Sequence, residues 1–151
     1  MKAFDTPKND FWYLATVYRK HPHGLGAAYI DACQISAKLW QLGIPNFCPI
    51  AMGHGMSVHG GLPTDDHEFW MWVDRHFMTK AYGLLLPQMV GWDESQGIQE
   101  ELDVFLFMDR PVVAFKPSRI LPEIPDGAEL PEDWIRNSEA VNINIDKSGM
   151  H

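Results

Sequence analysis

The sequence predicts an α/β domain built on a parallel sheet of four or five strands, and three observations carry that prediction. Short apolar runs recur at Phe11–Ala15, Asn46–Ile50, Tyr82–Leu86 and Pro111–Phe115. They are continuous rather than alternating, as strands buried on both faces are. Segments with helical spacing lie between them, and strands that alternate with helices pair in parallel through right-handed crossovers. The stretch Gly91–Gly97 follows the third run and opens onto a helix. That order of strand, glycine-containing loop and helix N-terminus accommodates a polar ligand. Together these describe a three-layer, Rossmann-like (flavodoxin-like) domain.

Residues 1–10 are a polar lead-in to the first strand, Phe11–Ala15. Residues 16–26 carry Arg19, Lys20, His21, His23 and two glycines, and read as a loop. Ala27–Leu42 has helical spacing, with Ile30, Cys33, Ala37 and Trp40 expected on its buried face and Gly43 ending it. Asn46–Ile50 is the second strand. Residues 51–65 contain Gly53-His54-Gly55 and His59-Gly60-Gly61 and read as a long loop of the kind that is often functional. The next helix spans 66–80, capped by Asp65 or Asp66, with Phe69, Val73, His76 and Phe77 expected in the core. Tyr82–Leu86 is the third strand. The helix after Gly97 runs to about Asp109, and Pro111–Phe115 is the fourth strand. From 117 to 151 the chain is proline-rich and acidic; Val141–Ile145 alternates and is expected as a fifth strand or an extended arm. The expectation is one domain over 1–151, with its core at 11–116.

Composition narrows the function. The 151 residues suffice for a real core, and 46% hydrophobic content excludes a disordered chain. A formal charge of −8 argues against a nucleic-acid polymer as partner, which needs a basic face. No apolar run approaches the roughly 20 residues of a membrane span, and Met1–Asp5 lacks the apolar core of a signal peptide. A cytoplasmic protein without membrane contact is expected, with Cys33 and Cys48 as reduced, buried thiols. The histidines lack metal-ligand spacing: His21 and His23 are two apart, His54 and His59 five apart, His67 and His76 nine apart. No metal site and no cofactor are expected. Gly24-Leu25-Gly26 lacks the third glycine of a dinucleotide fingerprint, and no Gly-x-Ser-x-Gly is present.

The candidate residues cluster at the predicted carboxyl rim of the sheet. At 100° per residue, Leu102 and Phe105 share the face of Ile98, and Glu101 sits on its flank, in the first turns where the helix dipole favours an anion. Asp74 runs along the edge formed by Trp70 and Phe77, surroundings that raise a carboxyl pKa toward that of a general acid. Trp92 falls at the ligand rim, where a ring can stack on a base or sugar.

Taken together, Tyr13-Leu14-Ala15-Thr16, Phe69-Trp70 with Asp74, Gly91-Trp92 and Ser95-x-Gly97-x-x-x-Glu101-Leu102 resemble the nucleoside 2-deoxyribosyltransferase-like superfamily, over roughly Trp12 to Phe115. The closest likeness is to a group of small uncharacterised phage and bacterial domains within it. The resemblance implies cleavage of an N-glycosidic bond, with Glu101 as nucleophile at an ordinary carboxylate pKa of about 4.3. It implies Asp74 as the group that handles base protonation or orients the sugar, and Tyr13 as the residue that positions the nucleophile. Thr16, Arg19, Gly91, Trp92, Ser95 and Gly97 are then substrate-binding positions. Transferases acting on unphosphorylated nucleosides have an aspartate where this chain has Ser95. The branch that hydrolyses nucleoside 5′-monophosphates has a serine there, and an arginine matching Arg19 as phosphate partner. The chain departs from that branch at Thr16-Val17-Tyr18, where small residues are usual. The expectation is therefore a nucleoside 5′-monophosphate N-glycosidase, in a homodimer whose second copy completes the site, with Asn142 or Asn144 as the contributing residue. The alternatives are a nucleoside 2-deoxyribosyltransferase and a non-catalytic nucleotide-binding module.

Overall fold

The computed structural model describes residues 6–131 and the backbone of Glu139–Ala140. The order is β1 (Trp12–Leu14), α1 (Leu25–Gln41), β2 (Asn46–Phe47), α2 (Pro49–Gly60), α3 (His67–Met78), β3 (Gly83–Pro87), α4 (Gln96–Phe107) and β4 (Val112–Phe115). A two-residue strand, β5 (Glu139–Ala140), adds to the edge. All pairings are parallel, in the order β2-β1-β3-β4-β5. Tyr13 lies opposite Phe47 on one side and Leu84 on the other. The fold is the predicted α/β class with a parallel, Rossmann-like sheet.

From β1 the chain steps to β2 on one side, then crosses back over β1 to β3 and on to β4. Right-handed crossovers put α1 on one face of the sheet and α3 and α4 on the other. In accord with this, α3 packs on α4, and α2 packs on α1. The direction of travel reverses between β1 and β3, which is where open α/β sheets form a ligand crevice beyond their strand ends. Every residue of β1, β3 and β4 is buried, as their continuous apolar runs require.

Three expectations fail in detail. The buried face of α1 is Ala28, Ala32, Ile35 and Leu39, whereas Ile30 and Trp40 are each 54% exposed. Both sets obey three-four spacing; the small alanines allow the helix to approach the sheet, and the larger side chains turn outward. Residues 51–60 are not a loop but most of α2. Pro49 stands in its first turn, and Gly61, at φ 73°, supplies the left-handed residue that ends it. In α3, His76 is exposed and the buried residues are Met71 and Met78, while Phe77 stacks on Phe47 at 4.1 Å.

The segment after Lys116 also begins as core rather than as an arm. Ile120 and Ile124 are buried with the main cluster, and Asp126 bridges antiparallel to Met89. Val141–Ile145, including Asn142 and Asn144, lies outside the described residues. Among the described residues no helix is long and apolar enough to cross a membrane.

Candidate active site

Three of the predicted residues converge. β1 holds the Tyr13 ring between Phe105 (centroids 5.6 Å apart) and Phe47 (6.3 Å), and the Tyr13 hydroxyl donates to Glu101 Oε2. In α4, Ile98, Leu102 and Phe105 form the buried stripe and draw Glu101 in with them to 7% exposure. Asp66 caps α3 by accepting from Phe69 N at 3.0 Å. Two turns on, Asp74 reaches the same cavity with its Oδ1 buried and without a hydrogen-bond partner among the described residues. The cavity, of about 460 Å³, lies at the carboxyl ends of β1 and β2, enclosed by α2, α3 and the start of α4. Small-molecule sites span roughly 300–1,000 Å³.

Burial dominates the electrostatics. It pushes Glu101 up to about 8; donation from Tyr13 opposes the shift, and the charges of Asp74 and Glu100 add to it. Burial pushes Asp74 up to about 7, again opposed by Tyr13. An ordinary carboxylate pKa for Glu101 is thus not what the site provides: loss of water outweighs the helix dipole. Tyr13 itself is held well above its usual value by burial and by the Glu101 and Asp74 charges, so it acts as a donor. The Cys48 thiol lies 3.6 Å from Thr16 Oγ1, and burial raises it to about 11, which makes it unreactive.

Ser95 is the N-cap of α4. Its Oγ accepts from Ile98 N at 3.2 Å, so its own proton remains available to a ligand. Gly97 stands bare in the first turn beside it, with the cavity in front. Arg19 and Thr16 also line the cavity. Arg19 is engaged: its guanidinium meets Asp65 Oδ1 at 3.0 Å and the Thr64 carbonyl, both at the cavity mouth.

Residues 11–117 match the family described as Domain of unknown function (DUF1937). The chain belongs to that family. No curated protein matches it. The matched segment of this DUF1937 domain includes every residue that lines the cavity.

Two predicted binding residues lie elsewhere. Trp92 is 2% exposed, packs in the core and donates through Nε1 to the Ala128 carbonyl at 2.8 Å. Gly91, at φ 95°, is the turn itself; a Cβ there would meet the Lys20 carbonyl at 2.5 Å. Aromatics that do line the cavity are Tyr18 and Trp70, and the Trp70 ring lies so close to α2 that a Cβ on Gly53 would meet it at 3.0 Å. Sequence reasoning also passed over Lys20 at the mouth, the His67–Glu100 pair (2.5 Å) joining α3 to α4, and His54 on α2. For His54 a signal existed: Pro49 and Gly61 bracket a helix that would carry it to the rim.

Proposed function

We propose that this DUF1937 domain is an N-glycosidase that cleaves the base–sugar bond of a (deoxy)nucleoside 5′-monophosphate, with Glu101 as nucleophile. The observation that carries the reading is the buried Tyr13–Glu101 hydrogen bond in a cavity whose other carboxyl, Asp74, keeps Oδ1 unpartnered. A Glu101 carboxylate oxygen attacks C1′ as the C1′–N bond breaks. The bond's electron pair goes to the base nitrogen, which takes the proton of the Asp74 carboxyl. Water then attacks C1′ of the glycosyl ester, Glu101 leaves as carboxylate, and Asp74 recovers a proton from that water.

This chemistry needs the pair singly protonated, with one attacking carboxylate and one acid. Glu101 at about 8 and Asp74 at about 7 titrate as a coupled pair around neutral pH, with the shared proton mainly on Glu101; the reactive form, with that proton on Asp74 and Glu101 ionised, is the minor arrangement, and donation from Tyr13 to Glu101 favours it. At the other end of the substrate, the Ser95 hydroxyl, the first N–H groups of α4, Arg19 and Lys20 form a phosphate-binding set. An aspartate in place of Ser95 would repel the phosphate dianion, which is why the hydrolase reading stands above the transferase. The reading includes a second copy of the chain, to which Trp72 (59% exposed) and Phe107 (92%) offer apolar side chains. It also includes a reducing cytoplasm, in keeping with the free thiols of Cys33 and Cys48.

The test is base release, followed by chromatography, from ribo- and deoxyribonucleosides and their 5′-monophosphates. Release from a monophosphate, following a bell-shaped pH dependence near neutrality and falling at least about a thousandfold in Glu101→Gln, is the expected result. Release from nucleosides that requires an acceptor base would replace the proposal with the transferase. Silence across the panel would remove it.

A further inference from the structure

We infer that His54 is the residue that reads the base, by donating a hydrogen bond from Nε2 to an acceptor atom of the heterocycle. The inference rests on the nucleotide reading above and deepens it. His54 lines the cavity from the middle of α2. Its ring is fixed on two sides: it stacks on Tyr29 at 4.5 Å and 23°, and Nδ1 lies 2.8 Å from the Tyr18 hydroxyl. The Tyr18 hydroxyl is raised above its ordinary pKa by partial burial, so it keeps its proton. We assign the Tyr18 hydroxyl as the donor to Nδ1, which leaves the imidazole hydrogen on Nε2. Nε2 has no hydrogen-bond partner among the described residues.

The helix that carries His54 suits a neutral ring. α2 has no Asp, Glu, Lys or Arg along its length. What it turns to the cavity beside His54 is Pro49, Ile50, Gly53 and the uncharged hydroxyl residue Ser57, with Trp70 closing over Gly53. The cations that would hold a phosphate, Arg19 and Lys20, follow Tyr18 in the loop after β1, and the Arg19 guanidinium is turned to Asp65 and the Thr64 carbonyl. A planar heterocycle between Trp70 and this wall meets one oriented N–H, and an unmatched donor or acceptor in such a site discriminates strongly. The class of base selected is one that offers a carbonyl oxygen or an unprotonated ring nitrogen at that point.

Binding, measured by calorimetry on Glu101→Gln to prevent turnover, separates this from the catalytic proposal. The ligands are the common nucleoside 5′-monophosphates, with ribose 5-phosphate and 2-deoxyribose 5-phosphate as base-free controls. His54→Phe, which keeps a ring against Tyr29 but no donor, is expected to weaken the preferred nucleotide about tenfold and leave the sugar phosphates unchanged. His54→Gln, which returns an N–H near the Nε2 position, recovers part of the loss. Should His54→Phe fold poorly, Tyr18→Phe carries the test, with a loss of about threefold confined to the nucleotides. Equal losses on nucleotides and sugar phosphates, or no loss at all, would overturn the role of His54 while leaving the glycosidase proposal standing. If neither nucleotides nor sugar phosphates bind the parent protein, both fall.

Discussion

The turn after β3 and the floor of the cavity lie at the same end of the sheet and are both buried, yet they treat polar groups in opposite ways. In the turn every demand is met. Gln88 Nε2 and Trp92 Nε1 share the Ala128 carbonyl at 3.2 and 2.8 Å, and Gly127 N donates back to Gln88 O at 2.6 Å. On the cavity floor one tyrosine hydroxyl faces two carboxyls, and Asp74 Oδ1 is left over. Buried polar groups in folded proteins are ordinarily paired. A closed network therefore marks structure, and an open, desolvated one marks a place kept for a ligand. Depth alone does not separate the two, since Trp92 and Glu101 are both nearly inaccessible.

The sharpest way to break this distinction is Trp92→Ala. If the ring is core, its removal opens a cavity and costs about 3–5 kcal/mol, measured by denaturant unfolding. Turnover well below the melting temperature should then change by no more than a few fold. A fall of more than tenfold in kcat/KM with stability intact would make the ring part of the site after all.

The cavity floor should behave in the reverse sense, losing stability to retain chemistry. Glu101 has an ordinary pKa near 4.5 when unfolded and about 8 when buried. Between those values the folded state holds a proton that the unfolded state has released, so stability falls as pH rises from about 4.5 to about 8 and is level above. Glu101→Gln does not titrate. Its stability should match the parent below about pH 4.5 and exceed it by on the order of 3 kcal/mol near pH 8, less than the full shift because Asp74 shares the pair's proton. Thermal unfolding across this range checks it; a difference independent of pH would mean that Glu101 is not desolvated.

The sequence revealed one of these regions better than the other, and the reason is physical. Glu101 was legible because helical periodicity places it beside Ile98, Leu102 and Phe105, and Asp74 because Trp70 and Phe77 flank it. Both inferences use only spacing within one helix. Trp92 was misread because its partner, Ala128, lies 36 residues on, in a proline-rich stretch with no periodicity to show that it folds back. α2 was misread for a different reason: its glycines and histidines have loop composition, while its start and stop signals at Pro49 and Gly61 are those of a helix. The phase of α1 could not be chosen, because two apolar stripes share one spacing and only the closeness of the sheet favours the alanines. The site's second helix wall, with His54, went unseen along with α2.

The smallest expected effect concerns the mouth, where Arg19 is 51% exposed and its partner Asp65 88%. Such a pair is worth less than about 1 kcal/mol, so a phosphate can displace it. Asp65 still competes for the guanidinium and places a negative charge where a dianion must enter. Asp65→Asn should therefore raise affinity for a nucleoside 5′-monophosphate by about two- to fivefold, more at low salt, and leave the unphosphorylated nucleoside unchanged. Arg19→Ala should abolish that gain. If the nucleoside improves equally, Asp65 acts on access to the cavity rather than on the phosphate, and Arg19 loses its part in recognising it.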